Sequence, residues 1–125
     1  MNKIRSFADL IAWQESHKLV VFIYKLTDKF PTKEAFALTD QIRRAATSIT
    51  SNIAEGFSRK TGKEKIQFYY TSLGSLSELQ SQLLIARDVG YIKEKIHNDF
   101  QDLSTNASKL INGLLKTAKT FGSYT

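Results

Sequence analysis

Apolar residues recur every three or four positions in four long blocks of this 125-residue chain, and short polar breaks separate the blocks. That period predicts four amphipathic helices. The first is expected over about 7–29. Leu10, Trp13, His17, Val20 and Tyr24 share one face, and Leu19, Phe22, Ile23 and Leu26 make a second apolar face. Phe30–Pro31 ends it, because the residue before proline avoids the helical region. The second is expected over about 34–59, with Leu38, Ile42, Ala45, Ile49, Ile53 and Phe57 as its seam. Thr61–Gly62 breaks the pattern. The third is expected over about 63–88, with Ile66, Tyr69, Tyr70, Leu73, Leu76, Leu79 and Leu83 as its seam, and Gly90 as its stop. The fourth is expected over about 93–119, with Ile96, Phe100, Leu103, Ala107, Leu110, Leu114 and Ala118. The tail from Gly122 to Thr125 is expected to fray. Short connections make sequential helices antiparallel. The predicted fold is therefore all-α, an antiparallel up-down-up-down four-helix bundle forming one domain over residues 1–125.

The second helix carries another stripe beside its seam: Arg44, Ser48, Asn52, Glu55 and Arg59. An ordinary solvated face would be rich in Lys and Glu. Small hydroxyls, an amide and Arg–Glu charges fit a meeting with a neighbouring helix instead, and Glu78 on the antiparallel third helix is a natural partner for a buried Arg. The favoured reading is a structural polar network that fixes packing, with a ligand site as the alternative. Gly56 and Gly74 lie inside helices, where each costs up to about 1 kcal/mol against Ala. Close helix approach is the expected return, with a ligand's approach as the alternative. On the first helix, the second apolar face exceeds what one small bundle hides. Phe22, Ile23 and Leu26 are therefore expected subunit-interface residues, and Trp13, on the first face, is expected as an anchor at the core or the subunit interface.

Composition narrows the class. Hydrophobic residues make up 42% and charged residues 24%, which is ordinary for a globular domain. The absence of Cys excludes disulfides and thiolate metal sites. The start, MNKIRSFADLIAW, lacks the apolar core of a signal peptide, and the longest apolar run, Leu19 to Ile23, is far too short to span a bilayer. A cytoplasmic protein with no membrane role is expected.

Charge adds a candidate surface. Eighteen Lys and Arg oppose twelve Asp and Glu, for a net charge of +6. Arg59, Lys60, Lys63 and Lys65 against Glu64 place half of that excess in one connection between helices. These residues, with Arg43 if it faces outward, are the candidate nucleic-acid contacts; a solvated turn is the alternative. Tyr69, Tyr70 and Tyr91 are candidates for stacking on unpaired bases, although two of them fall on the seam of the third helix, where packing is the better use. Catalytic chemistry is absent from the pattern. His17 and His97 are isolated from other metal-spaced ligands, Glu55 and Glu78 lack the Glu-x-x-His of a di-metal bundle, and no phosphate-cradling loop or nucleophile motif occurs. No cofactor, no metal and no catalytic residue are expected.

The segments FADLIAWQ, then FPTKEAFALTDQIRRAATSITSNIAEGFSRKTGKEKIQFYYTSLGSLSELQSQL, then ARDVGYI resemble bacterial four-helix-bundle proteins encoded in intervening sequences of 23S ribosomal RNA genes. The ordered motifs are Asp9–Gln14, Gln41–Ala45, Ser48–Ile49, Asn52–Gly56, Arg59 and Gly74-Ser75-x-x-Glu78. The chain departs from that pattern at Ala37, where Gly is more usual, and at Tyr70-Thr-Ser-Leu73, where small residues are common. The resemblance implies a cyclic homopentamer of four-helix bundles with RNA binding. It also points to a related basic pentamer, the accessory variability determinant of diversity-generating retroelements, which binds nucleic acid and a reverse transcriptase. Two functions follow as expectations: a non-catalytic ring that binds structured RNA or DNA, or an adaptor ring that presents helices to a protein partner.

Overall fold

The computed structural model describes residues 3–122, with side chains through Thr120; Met1, Asn2 and Ser123–Thr125, most of the expected frayed tail, lie outside the described residues. The chain forms four helices, α1 (Ile11–Thr27), α2 (Leu38–Ser58), α3 (Gly62–Asp88) and α4 (Glu94–Gly122), with no strand among the described residues. Contacts join α1 to α2, α2 to α3, α3 to α4 and α4 back to α1. The helices thus stand at the corners of a square. Cross-helix pairs fix the antiparallel directions: Ser48 meets Ser75 and Ile49 meets Ser72 across α2 and α3, and Gln80 meets Ser104 and Tyr70 meets Lys119 across α3 and α4.

Two helix starts lie later than the periodicity predicts. Before α1, Ser6 accepts from the Ala8 N–H and Asp9 accepts from the Ser6 N–H, a capping box that closes a 3₁₀ turn over Phe7–Asp9. Leu10 is then extended, so the α-helix begins at Ile11 rather than Phe7. Before α2, Glu34 ends a 3₁₀ turn instead of opening the helix. One of its carboxylate oxygens accepts from the Leu38 N–H at 3.4 Å and the other from the Tyr91 hydroxyl at 2.6 Å. Glu34 therefore caps α2 from outside and ties the first connection to the third. Gly90, at φ 88°, makes the left-handed turn that ends the third helical stretch.

The core is the shared interior of the four seams. Leu19, Ile23, Ile42, Ile49, Ile53, Leu79, Leu83, Phe100 and Ile111 have no exposed surface. Each fully buried side chain of this kind contributes about 1.5–3 kcal/mol. Two expectations change here. Ile23 faces this core and is not an interface residue. Tyr69 is 3% exposed while Tyr70 is 52% exposed. Neighbouring helix positions differ by about 100° in direction, so the seam holds only one of them.

Candidate nucleic-acid interface

α2 stops at Ser58 because Arg59 turns extended, and Thr61 opens α3 by accepting from the Glu64 N–H at 3.2 Å. The turn between them holds Arg59 and Lys60, and the first turn of α3 holds Lys63 and Lys65; the four cations that the sequence singles out are used differently. Lys65 folds back on α2. Its ammonium donates to the Phe57 carbonyl at 2.8 Å and the Gly56 carbonyl at 3.4 Å, and lies 5.5 Å from the Phe57 ring centre. It caps the end of α2 chiefly through the Phe57 carbonyl, since the Gly56 carbonyl also accepts from the Arg59 N–H at 3.2 Å. Burial pushes its pKa below the usual lysine range. Arg59 pairs with Glu55 at 3.0 Å and lies 4.7 Å above the Phe68 ring. Lys60 and Lys63 are exposed and make no hydrogen bond or ion pair among the described residues.

Arg43 does not join them. Its guanidinium donates to the Thr27 hydroxyl at 2.8 Å, the Tyr24 carbonyl at 3.2 Å and Asp28 at 2.9 Å, and lies 4.7 Å from the Tyr24 ring centre. It closes the C-terminal end of α1. Sixteen residues separate it from Arg59, about 24 Å along a helix. The outward placement that would add Arg43 to a basic rim is not found.

The fold adds residues that the sequence pattern left apart. Antiparallel packing sets the end of α4 beside the start of α3, so Lys119 lies with its ammonium 5.8 Å from the Tyr70 ring centre. Lys116 is exposed one turn back. This end of the bundle comprises residues 3–17, the last two turns of α2, the turn to α3, the first two turns of α3 and the last two of α4. It holds Lys3, Arg5, Arg59, Lys60, Lys63, Lys65, Lys116 and Lys119 against Asp9, Glu15, Glu55 and Glu64. Eight minus four is +4, two thirds of the net charge. The signal was available in the sequence only as two separate helix ends.

The polar stripe of α2 is also rearranged. Ser48 and Ser75 share a 2.7 Å hydrogen bond across α2 and α3, Asn52 donates to the Ser48 carbonyl at 2.8 Å and hydroxyl at 3.0 Å, and Ser72 donates to the Ile49 carbonyl at 2.8 Å. The cross-helix network is thus built from hydroxyls and one amide. Its expected ionic members are elsewhere. Arg44 pairs with Asp40 one turn away, its side chain 79% exposed, Glu55 pairs with Arg59, and Glu78 is exposed with no partner among the described residues. Charge stays at the surface because burying it costs several kcal/mol per ion.

Of the expected interface residues, Trp13 stacks on His17 at 4.7 Å and meets the edge of Phe7 at 5.2 Å. Phe22 and Leu26 are half-buried and line a shallow groove of about 390 Å³ with Ile96, Lys25 and Lys29. His97 is buried against Phe100. Among the described residues, no group of three His, Cys, Asp or Glu side chains is placed to hold a metal, and no helix is long and apolar enough to cross a membrane.

Four antiparallel helices with one basic end define a small all-α protein of the four-helix type. More narrowly, the chain belongs to the 23S rRNA-intervening sequence protein family, which it matches over residues 8–113. Among solved structures, it is similar to a protein of unknown function from the S23 ribosomal protein family of Bacteroides thetaiotaomicron VPI-5482. Identity is 23%, the match covers 85% of this chain and 96% of that one, and the TM-score is 0.78. At that identity the likeness carries the fold. No match is found among curated proteins.

Proposed function

We propose that this protein is a non-catalytic helical-bundle protein that binds nucleic acid, structured RNA above all, through the basic end of the bundle. One observation carries the reading: the fold gathers Lys60 and Lys63 with Lys116 and Lys119 at one end, four cations with no carboxylate partner among the described residues. A surface of that sign attracts polyanions, and phosphate contacts release counterions on binding. Lys65 and Arg59 shape the surface by capping α2 and bridging to Glu55. The resemblance to basic pentamers extends the reading to a cyclic homopentamer, in which copies of this end form a continuous rim. The solvent face of the second half of α3, beyond Tyr70, supports assembly, since from Gly74 to Ile85 its exposed positions carry a single charge, Glu78, and Leu84 and Ile85 are exposed.

The test is a salt titration of purified, nuclease-treated protein with a structured RNA. Four phosphate contacts give a log–log slope of about −3.6 on a duplex, more if several subunits engage. Lys60→Glu with Lys63→Glu is expected to flatten the slope and weaken binding at least tenfold. Unchanged affinity in that variant would remove this surface as the contact. Light scattering tests assembly, with a mass five times 14.2 kDa expected.

A second reading, a protein adaptor, draws on the opposite end. There Phe36 is 99% exposed in the α1–α2 connection, and Leu84, Ile85 and Val89 are exposed at the end of α3. Apolar side chains clustered at one end fit a protein partner. Affinity capture that recovers a defined protein only when Phe36 is intact supports it; recovery of nucleic acid alone counts against it.

A further inference from the structure

Tyr70 lies where an aromatic ring has little structural use. It stands on the solvent face of α3, half exposed, and its ring faces the Lys119 ammonium at 5.8 Å. Its neighbour Tyr69 fills the seam and explains the packing on that turn. Lys63 shares the face of Tyr70 two turns nearer the helix start, about 10 Å along the axis, with Gln67 between them. Lys60 lies just beyond, in the turn, and Lys116 flanks from α4. An open aromatic face is therefore bordered by cations along a track that runs from the turn down α3.

We propose that Tyr70 is a stacking platform for an unpaired base, and that this face takes single-stranded nucleic acid or loop nucleotides in preference to duplex. The inference rests on the nucleic-acid reading above and names the ligand class for the same site. A duplex keeps its base faces stacked inside and offers only phosphates and groove edges, which leaves Tyr70 without a role. A single strand offers both what the cations need and what the ring needs: phosphates for Lys60, Lys63 and Lys116, and an open π-face for Tyr70. Lys119, close to the ring, is placed to contact the phosphate beside the stacked base and to add cation–π attraction. Stacking is tolerant of base identity, so little sequence preference is expected.

The experiment measures fluorescence anisotropy of a labelled mixed-sequence RNA of twelve nucleotides, alone and annealed to its complement, against full-length protein. Wild type is expected to bind the single strand more tightly. Tyr70→Ala is expected to lose about 5- to 100-fold on the single strand and to leave duplex affinity and both salt slopes unchanged, because it removes stacking and no phosphate contact. Tyr70→Phe is expected to bind like wild type. Equal loss on both ligands, no loss on the single strand, or a changed oligomer mass in Tyr70→Ala would each overturn the stacking role while leaving the basic face intact. Absence of wild-type binding to either RNA at low salt would sink the nucleic-acid reading itself, and the platform with it.

Discussion

Gly56 makes room for Tyr69. A Cβ at position 56 would lie 2.6 Å from Tyr69 Cε1, 2.9 Å from Cδ1 and 3.1 Å from the Phe68 Cβ. The ring is buried and cannot swing out, and Phe68 Cβ moves only with the α3 backbone. Gly56→Ala therefore gains about 1 kcal/mol of helix propensity but overpacks the α2–α3 contact by about 1–3 kcal/mol. A net loss of up to about 2 kcal/mol in urea unfolding is expected. Stability equal to or above wild type would mean that the two helices are less tightly apposed.

Gly74 is the opposite case. A Cβ there meets nothing within 4 Å, so the close approach expected from sequence is not made within the chain. Gly74→Ala should stabilise an isolated chain by up to about 1 kcal/mol. The informative readout is mass as well as melting temperature. A more stable protein of unchanged mass places Gly74 outside any subunit contact, whereas loss of the oligomer places it inside one.

The Arg43 clamp predicts a cost without a functional change. Its guanidinium makes three hydrogen bonds to the end of α1 and lies over the Tyr24 ring. Arg43→Ala should lose about 1–3 kcal/mol in urea unfolding, and Arg43→Lys should recover only part, since an ammonium does not reproduce the planar fork. RNA affinity should stay within twofold, because Arg43 is remote from the basic end. A large loss of RNA affinity in a folded variant would restore Arg43 to the binding surface.

Much of this arrangement is legible in the chain because it depends on period alone. Ile42, Ile49 and Ile53 fall in the core at the spacings that predict α2, and Leu76, Leu79 and Leu83 do the same for α3. Partnership is not legible in that way. Arg44 sits at the right period to face α3, yet Asp40 is one turn away on its own helix and holds it at the surface. Glu78 meets no cation among the described residues. Ile23 belongs to the apolar side of α1 that looked like an interface, but α1 touches both α2 and α4, and a second apolar face is then needed inside one chain. The basic end was half legible. Arg59–Lys65 is a run in sequence, whereas its union with Lys116, Lys119 and Tyr70 depends on the antiparallel register of α3 and α4.

The Glu34–Tyr91 bond gives a pH dependence of defined sign. The Tyr91 hydroxyl, followed by the Leu38 N–H, holds the Glu34 carboxyl below its ordinary value of 4.5. The same bond, with burial and the charge on Glu34, lifts the Tyr91 phenol above its ordinary value of 10.0. A carboxylate with a depressed folded pKa contributes stability that is complete above the unfolded value and is lost as pH falls through the folded one. A phenol with a raised folded pKa contributes stability that is complete below the unfolded value and is lost as pH rises through the folded one. Wild type should therefore exceed Glu34→Gln by a constant margin from about pH 6 to 9, with the margin shrinking below about 4.5 and again above about 10. Melting temperatures of both proteins across that range measure it. Tyr91→Phe should lose the same margin on both flanks and leave the Phe30 ring contact in place, since that contact needs only the ring. A margin that persists undiminished to pH 3 would show that the bond joining the α1–α2 connection to the α3–α4 turn is not the source of the difference.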